Sequence, residues 1–357
     1  MATSPELVLR PVIDLASFIG ERRVVATGVG DSDLLVALVG SVTPGVPVDA
    51  SEPFIPGGEH DPRVVATAAL FADRQSKSVS ELPIEPLALA FPVVQPLSDG
   101  GLLVADSRVA VGNPPNGHVI GPNGKIRRSI MFGDGIEHML VDRVGHAWVG
   151  YFDEGIFGNL GWGNPGSPAP IGSPGLLRFD LATGEIDWAF GPPEGSDSMA
   201  DCYALNVDGD HAWMSYYTDF DLFRIDSAGG TRRWRVKARG PNVIACDGRQ
   251  VLLVGSYESR MSATLWRLGD DRLTDPLPVR VRLEGDPGAP EGIWGRGPVL
   301  HAVLGSTWFV AELGDIAGEG RARDEGNVPA TWQDHVLHRH TWRGFRFRTS
   351  FAPYQHP

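Results

Sequence analysis

A nearly literal repeat of six residues is the feature that most constrains this chain of 357 residues. Residues 146–151 read HAWVGY, and residues 211–216 read HAWMSY. A tight-turn signal precedes each copy, at residues 142–145 and at residues 208–210. Asp-Gly between strand-like runs favours a hairpin, because glycine adopts positive φ without a Cβ clash. The repeat therefore predicts one β-rich unit that is used several times.

Weaker copies of the same pattern extend along the chain. With Trp148 and Trp213 as reference positions, the counterparts are Val36, Val104, Leu252 and His301, so consecutive positions are 39 to 68 residues apart. The shorter spacings match one four-stranded blade of a β-propeller, and the longer ones predict blades with insertions. We place six blades at residues 21–85, 86–134, 135–197, 198–240, 241–286 and 287–357.

The predicted fold is all-β: a six-bladed β-propeller of four-stranded antiparallel blades, forming one domain over residues 1–357. Residues 7–13 precede the first inner strand, and we expect them to pair with the last blade and close the ring, which protects open sheet edges. Two alternatives stay open. One is a β-sandwich with long loops, and the other is a seventh blade within residues 41–85 or 314–357.

One stretch of blades carries a family resemblance. Residues 121–126, then Asp142 to Trp148, and then residues 177–186 together resemble blades of the NHL-repeat, streptogramin lyase and regucalcin–gluconolactonase propellers. The shared pattern is a strand, an Asp/Gly turn, a Trp-containing strand, and a short strand that ends in a Gly turn. Such blades occur in enzymes, sensors and scaffolds, so the resemblance implies an architecture rather than a function.

Charge and composition narrow the class of partner. Lys+Arg 31 against Asp+Glu 44 gives a net charge of −13, which disfavours nucleic acid and anionic membranes as partners. No apolar run is long enough to span a bilayer, and we see no signal peptide. Cys202 and Cys246 are predicted to lie too far apart for a disulfide, and free thiols favour a cytoplasmic location.

Three Pro/Gly-rich insertions are expected on the face where the inner strands begin. They cover residues 41–62, 154–175 and 314–330. Long loops within a compact domain often bind ligands or act as lids. Phe157 and Trp162 in the second insertion are candidate ligand-binding residues, because they are large apolar side chains at a predicted loop tip.

Polar residues concentrate at one predicted depth of the inner strands. Ten positions before the reference residues, the chain reads Ala26, Val94, His138, Tyr203, Asn242 and Glu291. This layer is apolar in the first two blades and polar in the other four. Glu137 and Asp201 occupy adjacent, shallower positions. The pattern predicts a polar site at the mouth of the central channel.

Two chemistries fit this layer. In the first, His138 and Glu291 supply a general base and acid, while Tyr203, Asn242 and Glu137 orient a ligand or substrate. In the second, Asp201, Asn242 and Glu291 hold Ca²⁺ or Mg²⁺ through oxygen atoms. The regucalcin resemblance implies a divalent metal held by channel-mouth carboxylates and amides, and the streptogramin lyase resemblance implies a His base with Mg²⁺. His138 and Tyr203 depart from the regucalcin pattern.

The leading functional prediction is a binding module for a small molecule or a protein at this channel mouth. The competing prediction is a hydrolase or lyase acting in the same pocket.

Overall fold

The computed structural model describes residues 4–31, 33–42 and 64–316, and their strands group into six four-stranded blades. Strand β1 spans Glu6–Asp14, and a single-turn helix α1 spans Ala16–Ile19. Blade 1 contains β2 (Arg23–Val29), β3 (Leu34–Val42), β4 (Val64–Asp73) and β5 (Ser78–Leu89). Blade 2 contains β6 (Pro92–Pro96), β7 (Leu102–Asp106), β8 (Gly117–Ile120) and β9 (Ile126–Ile130).

The remaining blades follow the same order. Blade 3 contains β10 (Ile136–Val141), β11 (His146–Tyr151), β12 (Leu176–Asp180) and β13 (Ile186–Ala189), with helix α2 (Asp153–Phe157) after β11. Blade 4 contains β14 (Asp201–Asp208), β15 (His211–Tyr217), β16 (Leu222–Ile225) and β17 (Thr231–Trp234). Blade 5 contains β18 (Val243–Cys246), β19 (Gln250–Val254), β20 (Ser262–Leu268) and β21 (Leu273–Leu283). Blade 6 contains β22 (Gly292–Arg296), β23 (Val299–Leu304) and β24 (Thr307–Glu312), followed by a 3-10 turn at Leu313–Asp315. In the part of the chain described, no helix has the length and apolar character needed to cross a membrane.

Strand β1 closes the ring, as the sequence predicts. Its residues 10–14 pair antiparallel with β24 and supply the fourth strand of blade 6. Its residues 6–9 also pair in parallel with β21, the outer strand of blade 5. This second pairing was not predicted, and it joins blades 5 and 6 into one continuous eight-stranded sheet.

The six-residue repeat is a structural device inside the blades. The buried Trp148 ring donates its Nε1–H to Asp142 Oδ2 at 3.2 Å, and Asp142 Oδ1 accepts the backbone N–H groups of Val144 and His146. Arg178 lies directly across from Trp148 on β12, with its guanidinium 5.3 Å from the ring centroid. Trp213 repeats the pairing with Arg224 at 5.8 Å. The motif therefore fixes the turn and covers the tryptophan, which explains its recurrence without a ligand.

Buried polar side chains join different blades across the channel. The fully buried Asn206 donates from Nδ2 to the carbonyls of Ile244 and Gly297, at 2.7 and 2.9 Å, so it ties blade 4 to blades 5 and 6. Arg296 crosses from blade 6 to blade 3 and donates to the carbonyl of Val141 at 2.7 Å. These contacts lie towards the lower ends of the inner strands and join blades across the channel.

The two ends of the ring differ in their loops. We call the upper face the one where inner strands begin and where the second and third strands of each blade connect. The lower face carries the hairpin turns between inner and second strands. The insertion at 154–175 lies on the upper face, between β11 and β12. From residue 43 on, the insertion at 41–62 lies outside the described residues.

The third predicted insertion begins on the other face. Leu313 donates its N–H to the carbonyl of Pro298, which belongs to the lower-face turn of blade 6. We expected residues 314–330 on the upper face, whereas this segment starts at the lower face. The reason is that β24 is the third strand of its blade and runs downward. From residue 317 on, this segment lies outside the described residues.

Candidate functional site at the upper face

Most of the predicted polar layer does lie at one depth. Ala26 pairs with Leu38 and His138 with Gly150, each two residues beyond its reference position on the second strand. Tyr203 sits at a β-bulge between Cys202 and Ala204 at nearly the same depth. Val94 is the exception. It pairs with the reference residue Val104 itself and therefore lies deeper in the channel.

His138 is bound by the neighbouring blade. Its Nε2 donates to the backbone carbonyl of Tyr203 at 3.1 Å. A carbonyl oxygen only accepts, so Nε2 carries the proton in this contact and Nδ1 is the nitrogen left to accept one. The ring is thereby oriented between blades 3 and 4.

Glu291 is not paired with His138. It is exposed at the start of blade 6, where its N–H donates to the carbonyl of Val303 at 2.8 Å. No hydrogen bond or ion pair joins the side chains of these two described residues. Blades 3 and 6 lie opposite each other in the ring. The two residues of the predicted acid–base pair therefore make no direct contact with each other, and their catalytic role stays a prediction.

Other members of the predicted site gather at the upper ends of blades 3 and 4. Cys202 is fully buried, and desolvation raises the pKa of its thiol, an effect that the negative charges of Asp201 and Glu137 increase. Both cysteines are free thiols, as the sequence predicts. The high pKa keeps Cys202 protonated at neutral pH, which removes it as a candidate nucleophile.

The predicted metal site would combine side chains from three blades. Within residues 4–31, 33–42 and 64–316, no three His, Cys, Asp or Glu side chains are grouped to hold an ion. The set Asp201, Asn242 and Glu291 contains two carboxylates, and the amide of Asn242 packs against the backbone of Gly255. That metal site stays a prediction.

The loop at 154–175 is fastened to blade 2. Trp162 is buried and donates its Nε1–H to the carbonyl of Val109 at 2.9 Å. Beneath the loop, Arg108 pairs with Asp134 at 2.8 Å and with Glu154 at 2.5 Å. Burial raises the pKa of Asp134, and contact with Arg108 opposes that shift. Trp162 therefore anchors the loop, whereas Phe157 is 68 % exposed on it.

An aromatic cluster on the upper face was not found by sequence reasoning, apart from one member. It consists of Tyr203, Tyr217, Phe220 and Tyr257, and we call it the aromatic patch. The buried Phe220 ring lies at its centre, with ring centroids 5.0 Å from Tyr203 and 5.7 Å from both Tyr217 and Tyr257. Tyr257 and Tyr217 are 61 % and 41 % exposed.

The backbone at the centre of this patch is held in a costly conformation. Phe220 has φ +60, a left-handed value that is unusual for an aromatic residue. The conformation is stabilised by a hydrogen bond from Ser215 Oγ to the Phe220 carbonyl at 3.0 Å. Such strain typically costs on the order of 1–3 kcal/mol and is concentrated at functional sites. The dense aromatic run at residues 216–220 is the sequence signal that points here.

A second concavity lies at the lower end of the channel. It has a volume of about 130 Å³ and is lined by charged side chains of both signs, among them Asp31, Arg143, Asp208 and Arg296. Arg143 and Arg296 both pair with Asp31. Burial lowers the pKa of Arg296 to about 10, so its guanidinium stays charged at neutral pH.

Comparisons with known proteins concern the fold. A scan against family models finds no match, and a search of curated proteins finds none either. Among solved structures, this chain is similar to virginiamycin B lyase from Staphylococcus aureus, with 12 % identity, TM-score 0.43, and coverage of 86 % of this chain and 99 % of that one. It is also similar to the WD40 repeats of RRP9, with 11 % identity, TM-score 0.43, and coverage of 87 % and 99 %. A chain of the nidogen/laminin complex matches with 10 % identity, TM-score 0.39, and coverage of 72 % and 80 %. The predicted propeller architecture itself is confirmed by the six four-stranded blades.

Proposed function

We propose that this propeller is a binding module whose upper face takes a protein partner on the aromatic patch. The supporting observation is the exposure of Tyr217 and Tyr257 around the buried Phe220. Tyrosine offers a large contact area at low entropic cost and is enriched at the centre of protein interfaces. Exposed large side chains that lie side by side, unlike scattered ones, mark interaction surfaces.

The shape of the upper face favours a protein over a small molecule. Tyr217 and Tyr257, the outer members of the patch, are exposed rather than enclosed in a cavity. The patch lies on top of blades 4 and 5, and Phe157 extends the exposed aromatic surface onto blade 3. A small ligand usually needs a concave site that buries most of its surface.

The hydrolase or lyase hypothesis has less support. It needs His138 and Glu291 within reach of one substrate, and each has a separate environment on opposite blades. The His138 Nδ1 retains the ability to accept a proton. An enzyme of this kind predicts that His138→Gln and Glu291→Gln abolish turnover equally, whereas a binding module predicts no effect on partner affinity from Glu291→Gln.

The test compares two faces of one molecule. Tagged wild-type protein, the double variant Tyr217→Ala/Tyr257→Ala, and the control Val144→Ala are used to isolate partners from the source cells. Val144 is 67 % exposed on a lower-face turn, so its variant also removes exposed apolar surface. We expect one partner to be retained by wild type and control and lost from the double variant, with affinity lowered at least tenfold when both proteins are purified.

The proposal also predicts that the double variant folds normally, because both side chains are largely exposed. Circular dichroism and the melting temperature check this point. Equal retention of every partner by all three proteins would contradict the proposal.

A further inference from the structure

A stripe of cations borders the aromatic patch. It consists of Arg235, Lys237 and Arg239, which are exposed, whereas the intervening Val236 and Ala238 are partly buried. Alternate exposure places the three charges on one side, about 7 Å apart from one to the next if the segment is extended. The segment starts beside the lower-face turn of blade 5, where Arg235 N–H donates to the carbonyl of Asp271 and Leu273 N–H donates to the carbonyl of Arg235, and it reaches the patch at its other end, next to Arg239.

Two of the three cations, Lys237 and Arg239, have no ion-pair partner in the described chain, whereas Arg235 lies close enough to Asp271 to help lower the pKa of that carboxyl group. Nearby arginines are paired: Arg233 with Asp219 and Asp221, and Arg272 with Asp271. No salt bridge within the described ranges involves Arg235, Lys237 or Arg239. This is notable in a chain of net charge −13, where carboxylates are in excess. A local run of positive charge, with Lys237 and Arg239 outside any described salt bridge, therefore lies on a generally negative molecule.

Two of the three cations line a depression that lies next to the patch in the chain. A depression of about 280 Å³ is formed by Asp219, Lys237 and Arg239 with Val236 and Ala238. Asp219 is already occupied by Arg233 and precedes Phe220 of the patch. Gly240, next after Arg239, lies against Tyr257, since a Cβ added there would be 3.2 Å from its ring.

We propose that the partner presents an extended acidic segment to this stripe, with carboxylates at alternate positions and an aromatic or apolar side chain on the patch. This rests on the proposed function and specifies the partner's chemistry. Carboxylates two residues apart in an extended chain match the spacing of Arg235, Lys237 and Arg239. Arginine and lysine bind such groups through charge-assisted hydrogen bonds.

A protein segment fits this surface better than nucleic acid does. Three cations neutralise few phosphates, and the net charge of −13 repels a long polyanion beyond the contact itself. A short peptide with three carboxylates places its charge against the stripe alone.

The test uses a defined probe. A fluorescein-labelled nine-residue peptide carries one tryptophan followed by glutamates at three alternate positions, and its partner peptide has glutamines instead. We expect saturable binding of the glutamate peptide by fluorescence anisotropy, at least tenfold weaker binding of the glutamine peptide, and weakening as salt is raised.

Matched variants separate local from overall charge. The triple variant Arg235→Gln/Lys237→Gln/Arg239→Gln should weaken the glutamate peptide at least tenfold. The control Lys77→Gln/Lys125→Gln/Arg249→Gln removes three exposed cations from the lower face and should change binding less than twofold. Both triples change the net charge equally.

Each other outcome overturns the inference. It fails if the glutamate peptide does not bind, if the two peptides bind alike, or if both triple variants weaken it alike. It also fails if a labelled twelve-nucleotide oligothymidine binds more tightly than the peptide and loses that binding in the stripe variant.

The failure of this inference is distinguishable from failure of the proposed function. If the isolated partner binds the stripe variant as it binds wild type, but loses affinity for Tyr217→Ala/Tyr257→Ala, the patch is the partner site and the acidic segment is wrong. If the patch variant keeps full affinity, the proposed function itself is wrong.

Discussion

His301 is an uncommon residue for the position it occupies. It takes the reference position that Trp148 holds in blade 3, is fully buried, and stacks on Trp308 with ring centroids 5.8 Å apart. Desolvation, assisted by the charge of Arg296, lowers the pKa of His301 to about 3. The imidazole is therefore neutral in the folded protein at neutral pH.

This burial predicts a stability that depends on pH. The unfolded chain takes up a proton on His301 as pH falls through 6.5, whereas the folded chain does not do so until about pH 3. Stability should therefore fall between these values, with a slope of up to ~1.4 kcal/mol per pH unit from this group. Urea unfolding at pH 7.5, 6.0 and 5.0 should show that His301→Phe, which retains the stacked ring, loses about 2 kcal/mol less than wild type by pH 5. Parallel stability curves for the two proteins would contradict the assignment.

At the same scale, the sequence predicts the polar layer better than it predicts contacts. The ten-residue offset places His138 and Tyr203 near one depth because the hairpin turns of most blades are similar in length. The offset cannot predict that the Tyr203 carbonyl accepts a hydrogen bond from His138, because residue types carry no information about individual backbone groups. Trp162 was expected at an exposed loop tip, and it is buried because the loop folds back onto Val109.

At the scale of elements, inner strands approach one another more closely than side chains allow. A Cβ on Gly295 of β22 would lie 1.7 Å from the carbonyl oxygen of Ile244 on β18, and one on Gly28 of β2 would lie 1.8 Å from that of Val94 on β6. Glycine at these positions lets neighbouring blades meet backbone to backbone near the channel.

Substitution at this contact should open the ring locally. Gly295→Ala should lower the free energy of unfolding by about 3 kcal/mol or more, because its clash is with backbone that cannot rotate away. Gly191→Ala is the control, since a Cβ there meets no atom within 4 Å. It should change stability by less than about 0.5 kcal/mol. Chemical denaturation of the two variants measures the difference, and similar values would show that the blades can separate at little cost.

β-Bulges limit how well a repeat alignment predicts the direction in which side chains face. The register shifts by a residue in β2, β10 and β14, each time near the upper end of the inner strand. A bulge adds one residue to one strand and re-aims the side chains beyond it. The turn and strand pattern predicted the blades, but the facing of Glu137, His138 and Tyr203 depends on bulges that the sequence does not mark.

At the scale of the whole molecule, the ring is held shut by nine residues. In β1, Leu7 and Leu9 are fully buried between blades, and Glu6 pairs with Arg282 at 3.2 Å. The sequence predicted closure through the last blade. It did not predict the parallel pairing with β21, because β1 is longer than its segment of β24 and the surplus residues extend along the next edge.

The closing role of β1 can be tested with a truncated protein and a separate peptide that carries the strand. A protein that lacks residues 1–14 should melt about 10 °C or more below wild type, because two buried leucines and a row of strand hydrogen bonds are lost. Addition of a synthetic peptide with residues 4–15 should restore most of the melting temperature. The same peptide with Leu7→Asp and Leu9→Asp should restore none. Restoration by both peptides, or by neither, would show that β1 is not an independent closing strand.

The position of β1 also sets the timing of folding during synthesis. Asp14 pairs with Thr307, so 292 residues lie between the two partners in the chain. At ~5–20 residues per second, β1 leaves the ribosome roughly 15–60 s before its final position exists. During that interval, the apolar residues of β1 have no partner strand to cover them. Slowing translation late in the message should therefore lower the soluble yield, and a chaperone that holds extended apolar segments should raise it.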